Sequence, residues 1–293
     1  MLDIYDILFT QSSLLIKAWE DIWQKNGYAM VGESNLFTNA NQDDFKVAQR
    51  LYASFYNLYS SIPAKLNWSP DSQFYGLSPA GLAYGALRQE FYNTTSTIVT
   101  PNRQYSEGTG GHTTYHQDFW ILPIISMFNQ DMSKMLIQSR LRRGFNNDHM
   151  NILEQAKENA KEDAAEGVRF VNEQGDYGKD LSPLLEVRKK RYYPTGTVGF
   201  GLRSYLRMSH DRDFITNLIS SDSGIKGEDF INEIAKFWNS KFKLAPTSNQ
   251  YEIRDVVFGS ENLLRDVNNE VFTNLVAKIS LDSYQYALRL TDR

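Results

Sequence analysis

The sequence predicts an all-α fold on three observations. Apolar residues recur at helical spacing through most of the chain, the helical stretches come in pairs with long connections between them, and only one short segment near Tyr251 alternates as a strand does. Paired helices of this kind imply a toroid or solenoid with embellished loops at one end. With 293 residues, 41% of them hydrophobic, the chain can bury a sizeable core as one large domain or two ordinary ones.

The elements follow in order. Ile4, Ile7, Leu8, Leu14, Leu15 and Trp19 mark a first amphipathic helix, and Phe45, Val47, Leu51, Phe55, Tyr56 and Tyr59 mark a second, capped by Asn41 to Asp43 and stopped by Pro63. Asn67 to Gly111 is rich in Gly, Pro, Ser and Thr and too long for an idle connection, so it reads as an elaborated loop. Helices resume at Gln117 to Phe128 and at Met132 to Arg143, the latter opened by Asp131 as its cap and closed by a basic turn that suits the helix dipole. Asn151 to Glu166 reads as a helix with one solvated face, and Gly167 to Asp180 as a structured loop. Helical patterns return at Thr197 to Met208, Asp213 to Leu218 and Glu228 to Phe242. A short β-hairpin is expected around Tyr251, Ile253 and Asp255, and Asn268 to Leu290 closes the chain as a long helix.

Composition excludes several functions. A net charge of −4 provides no field for nucleic acid as the main partner. The basic runs Ser139 to Phe145 and Glu186 to Tyr193 could grip a phosphate or an acidic surface, but solvated helix ends are the favoured reading. The absence of cysteine removes disulfides and thiolate metal sites or nucleophiles. Asp3 and Asp6 stand where a secretory signal would carry basic residues, so no signal peptide is visible and a cytoplasmic location is the default. No stretch approaches the roughly 20 apolar residues of a membrane span, and no membrane insertion or cofactor is expected.

The stretch GTGGHTTYHQDFWILPIISMF, Gly108 to Phe128, concentrates the chemistry. His112 and His116 are four apart and could share a helix face with Asp118 nearby, but two histidines alone do not make a metal site, and no metal is expected. The Tyr and Trp content suits sugar stacking or a protein interface, although core packing is the commoner use of such residues.

Four collinear segments resemble the central catalytic domain of family 65 glycoside hydrolases, which includes protein-glucosylgalactosylhydroxylysine glucosidases, acid trehalases and maltose and kojibiose phosphorylases. FYGLSPAGLAYG resembles the family's Gly-Leu-Ser-Pro-Gly-Gly segment, and GGHTTYHQDFW its Gly-His-x-Phe-Trp-Asp-x-Asp-x-Trp motif. AKENAKEDAAEGVRFVNEQGD resembles the Ala-x-Glu-Asn-Ala segment with the following Phe-x-Trp-Glu-Ser, and IRDVVFGSENLLRDVNNEVFTN the general-acid motif with the following Asn-Asn-x-x-Tyr-Thr-Asn. The resemblance implies a barrel of six helix pairs, an active site in the loops at one end, and inversion by two carboxyls about 6.5–9.5 Å apart or by phosphate attack.

Residue by residue, the carry-over is incomplete. Gapless spacing places Asn262 on the family's general-acid Glu, and an amide cannot deliver that proton; Glu261 beside it is the doubtful remaining catalytic candidate. In the Gly-His motif, His112, Asp118 and Trp120 match, while Tyr115 replaces a Trp and His116 replaces the Asp that grips glucose. Glu173 stays, while Asn172 replaces the Trp that walls the sugar subsite. Asn268 and Asn269 match the last motif, where helix capping competes with substrate contact.

The resemblance thus implies a partial (α/α)6 toroid, about the first half, over residues 41–293, behind a linker-type helix region at 1–40. Inner helices such as Trp120 to Phe128 and Val271 to Leu281 are expected to expose apolar faces, which other protein chains would cover. Two functions compete. One is a catalytically degraded member serving as a structural or interaction subunit, and the other is the front portion of an active inverting α-glucosidase or disaccharide phosphorylase acting on a glucoside.

Overall fold

The computed structural model describes residues 42–60, 113–141, 152–174, 178–180, 190–219, 224–246, 248–257 and 266–292, with single helical positions at Ser13, Ile16, Lys17 and Glu20. Most of the first expected helix and the whole Asn67 to Gly111 loop lie outside these residues. The chain forms two compact units, Met1–Phe74 and Tyr75–Arg293.

In the first unit, α1 (Gln42–Ser60) is the expected second helix. Phe55 and Tyr59, one turn apart, stack with ring centroids 5.5 Å apart and are both buried.

The second unit is mostly helical, with two small antiparallel pairings of strands. It begins with β1 (Thr113–Thr114) and a π-helical turn, Gln117–Ile121, that runs into α2 (Leu122–Phe128). Then come α3 (Gln130–Ser139), α4 (Ile152–Glu162), β2 (Glu173–Gln174), α5 (Tyr193–Ser209), α6 (Arg212–Thr216) and α7 (Gly227–Lys241). A hairpin of β3 (Phe242–Leu244) and β4 (Tyr251–Ile253), paired Lys243 to Glu252 at its centre, precedes α8 (Val271–Leu290). No helix among the described residues is long and apolar enough to cross a membrane.

Two caps differ from expectation. Helix α3 starts at Asn129, whose side-chain oxygen accepts the Met132 N–H at 3.0 Å, and not at Asp131. Asn129 is in extended backbone geometry, which an N-cap needs and a residue inside the first turn lacks. The long final helix is capped by Glu270, whose carboxylate accepts from the Phe272 and Thr273 N–H groups at 2.9 and 2.7 Å. Its negative charge also suits the positive end of the helix.

Helix α5 is the hub, packing against α2, α3, α7 and α8. Every residue from Tyr193 to Val198 is buried, as a helix surrounded by others requires. Gly196 and Gly199 let α8 approach closely: a Cβ on Gly196 would stand 2.3 Å from Val276 Cγ2, and one on Gly199 would stand 2.3 Å from Ser280 Oγ. Ser280 and Ser283 hydroxyls donate across the gap to the Gly196 and Gly199 carbonyls at 3.3 and 3.4 Å. Around Gly196 the surroundings are apolar, with Val276 and Trp238 both buried against it.

Gly199→Val would force the two helices apart. Overpacking of this kind costs about 1–3 kcal/mol, so urea denaturation of the variant should show a lowered midpoint. An unchanged midpoint would mean that the close approach is not needed.

Candidate functional site

The Gly-His motif is built around a buried arginine. Thr113 and Thr114 are β-branched and extended, and they pair antiparallel with Gln174 and Glu173, which brings the Gly-His motif and the Glu173 segment side by side. Arg140, at the C-cap of α3, sits beneath them with 1% exposure. Its Nη1 donates to Gln174 Oε1 at 2.7 Å and its Nη2 to the Thr114 carbonyl at 3.0 Å. Its Nε reaches Asp118 Oδ1 at 3.3 Å, and Nη2 closes a second bond to Asp118 Oδ2. One side chain therefore ties together both strands and the π-helical turn, with the forked geometry that only arginine supplies.

This arrangement corrects the reading of the Ser139 to Phe145 run as a solvated helix end, at least for Arg140. A signal was available, because a buried Asp118 needs a cation, and this run is the nearest basic one downstream in the sequence. Gln117 is buried beside the pair, its amide 3.4 Å from both the Leu136 carbonyl and Ser139 Oγ. Asp118 is itself 1% exposed, and its carboxylate is committed to Arg140.

The neighbouring residues form a second cluster. His116 Nδ1 lies 2.8 Å from Thr114 Oγ1, and its ring lies 4.1 Å from that of Tyr115. Burial holds the imidazole below its ordinary pKa. Tyr115 meets Tyr193 edge-on at 5.1 Å, and the Tyr193 hydroxyl donates to Asn172 Oδ1 at 2.7 Å. Burial, the first of several causes, raises the Tyr193 phenol far above its usual range, so it stays a donor. Tyr193 was not singled out from the sequence, where it reads as the end of a basic run. Tyr115, His116, Asn172 and buried Glu173 are thus brought together.

Other candidates lie elsewhere. The Asn268 side chain accepts from the Asp255 N–H at 3.1 Å, and that of Asn269 from the Ile253 N–H at 3.2 Å, so both clasp the end of β4 to the start of α8. His112, Glu261 and Asn262 lie outside the described residues. No group of three or more metal-ligating side chains occurs among the described residues. Trp120 is 57% exposed and begins an apolar stripe with Ile124, Met127 and Phe128. Beside it Phe119 meets Phe272 of α8 at 5.0 Å, and Val271 and Leu275 of that helix are also exposed.

The model of the glycosyl hydrolase family 65 central catalytic domain matches residues 86–292. The chain belongs to this family. It is 26% identical over 234 residues to the protein-glucosylgalactosylhydroxylysine glucosidase of Gallus gallus, covering 80% of this chain and 28% of that protein. It is 24% identical over 275 residues to the kojibiose hydrolase of Mucilaginibacter mallensis, covering 94% of this chain and 32% of that one. A solved structure of a candidate kojibiose phosphorylase from the human microbiome shares the fold at a TM-score of 0.52 and 20% identity, covering 98% of this chain and 32% of its own. This family 65 chain therefore spans about a third of the length of the curated relatives it matches.

Arg140→Ala would leave Asp118 charged and buried without a partner. Breaking such a pair typically costs about 3–5 kcal/mol, while the paired replacement Asp118→Asn with Arg140→Met should recover much of the loss. Equal stability of Arg140→Ala and wild type in denaturant titration would show that the pair does not hold the motif.

Proposed function

We propose that this chain is a catalytically degraded family 65 protein that serves as a structural or interaction subunit. In this reading its helices form part of an (α/α)6 toroid, and another protein chain covers the open edge. The observation that carries the reading is His116. Where the family's motif has the glucose-gripping Asp, this chain has an imidazole with Nδ1 tied to Thr114 and its pKa lowered by burial. A neutral imidazole offers one donor and one acceptor on opposite sides of the ring, whereas a carboxylate offers two acceptors on one edge. Bidentate recognition of two sugar hydroxyls is lost with the exchange.

Two further positions support the reading. Asn172, where the family has a Trp wall, brings little area for stacking on a sugar ring, and its amide is engaged by Tyr193. Asn262 stands at the general-acid position, where an amide has no proton to give at neutral pH. The stripe of Trp120, Ile124, Met127 and Phe128 is the surface on which the covering chain would pack.

A second reading is favoured by the short coverage of the relatives. Because the chain spans only 28% of a protein named as a glucosidase and 22% of one named as a phosphorylase, it could be the front portion of an active inverting enzyme, with Glu261 in the acid's place. One assay, made on the full-length protein, separates the two. Incubation with kojibiose and with a glucosylgalactosyl-hydroxylysine peptide, with and without phosphate, should release no glucose or glucose 1-phosphate above buffer. Turnover that disappears in Glu261→Gln would overturn the degraded reading.

A further inference from the structure

We propose that the face shared by α2, α5 and α8 docks an amphipathic α-helix of another protein, one whose apolar stripe is flanked by acidic residues, a commitment that rests on the reading of this chain as an interaction subunit.

The three helices run alongside one another. Gly201 of α5 admits Leu122 of α2, whose Cδ2 would stand 2.5 Å from a Cβ there, and Gly196 admits Val276 of α8. Phe200, Arg203 and Arg207 of α5 share one helical face by their spacing. Phe200 meets Phe119, at the foot of α2, with ring centroids 4.9 Å apart, and Arg203 lies 3.6 Å from Asp282 of α8. Phe200 and Arg203 are only partly exposed, while Ile124 and Met127 on one flank and Leu275 and Lys278 on the other stand open. The face is therefore a shallow groove with α5 as its floor.

The apolar flank selects a helix as the occupant. Trp120, Ile124, Met127 and Phe128 fall at i, i+4, i+7 and i+8, which makes a ridge about 12 Å long. A helix surface offers side chains and no backbone ladder. An extended segment laid on it would bury unpaired N–H and C=O groups, whereas an α-helix brings its own hydrogen bonds.

Charge selects the sign of the partner. Helices α5 and α8 together carry Arg203, Arg207, Lys278 and Arg289 against the one acid Asp282, which Lys278 already holds at 2.8 Å. Lys278, Asp282 and Arg289 continue the Leu275 face of α8, and both Arg207 and Arg289 are exposed. An acidic flank relieves this excess, and a basic one adds to it. A second copy of this chain would set like charges against like, and a flat bilayer would not enter the groove to reach Phe200.

The test is a titration of the full chain at low salt into a fluorescein-labelled amphipathic peptide of about five turns, with leucine on one stripe and glutamate on both flanks, followed by anisotropy. Saturable binding with a roughly micromolar dissociation constant is expected, weakened at least tenfold in Ile124→Asp and weakened also by added salt. In the double variant Arg207→Glu with Arg289→Glu, the glutamate peptide should lose affinity and a lysine-flanked version should gain it, an exchange that misfolding does not produce. Absence of saturation, equal binding of the two peptides to wild type, or unchanged affinity in Ile124→Asp would overturn the proposal. Tighter association with phosphatidylserine vesicles than with the peptide, or dimers in sedimentation that Ile124→Asp abolishes, would overturn it too, since each identifies a different occupant. A chain that neither cleaves glucosides nor binds the peptide keeps the degraded reading and loses only this partner.

Discussion

The Arg140–Asp118 pair is the constraint on which the site region depends. Burying two opposite charges is favourable only when every donor and acceptor finds a partner, and here the guanidinium reaches Asp118, Gln174 and the Thr114 backbone at once. That requirement fixes the end of α3, the β1–β2 pairing and the π-helical turn relative to one another. Asp118 and Trp120, two residues apart on the π-helical segment, fall on opposite sides of it, so Asp118 meets the arginine while Trp120 is exposed. Motif residues that read as sugar contacts are thereby divided between a buried framework and an exposed rim.

The α5–α8 interface serves as the second anchor. Its glycines and serines bring two backbones together, which in turn places Phe272 against Phe119 and Tyr193. The aromatic bank beneath the motif is a product of that approach. At its edge Trp120, Ile124, Met127, Val271 and Leu275 remain exposed. Surface of this kind is what a protein partner buries at the centre of an interface.

Helices were legible because their apolar periodicity is local: α1, α5, α7 and α8 lie within a few residues of their predicted spans. Boundaries were less so, since the expected helix began at Thr197 and left out Pro194 and Gly196, whereas proline suits a first helical turn and glycine suits a close crossing. The site was only partly legible. Motif resemblance brought Tyr115, His116, Asn172 and Glu173 forward, and the fold places them together. What the sequence could not show was which polar residues would be taken up by one another, as Asp118 is by Arg140 and Asn172 by Tyr193. Such pairings join residues far apart in the chain and depend on tertiary packing that no local pattern encodes.

The proposed reading turns on His116, which lies against Thr114 and Tyr115 where the resemblance sets the family's Asp. With four histidines in the chain, its ring signals can be assigned by comparison with His116→Gln and titrated by NMR. The account predicts a pKa below the ordinary histidine value of about 6.5, because burial opposes the imidazolium. A value above the ordinary one would place a carboxylate against the ring, and would contradict the claim that the position has lost its charged sugar-binding chemistry.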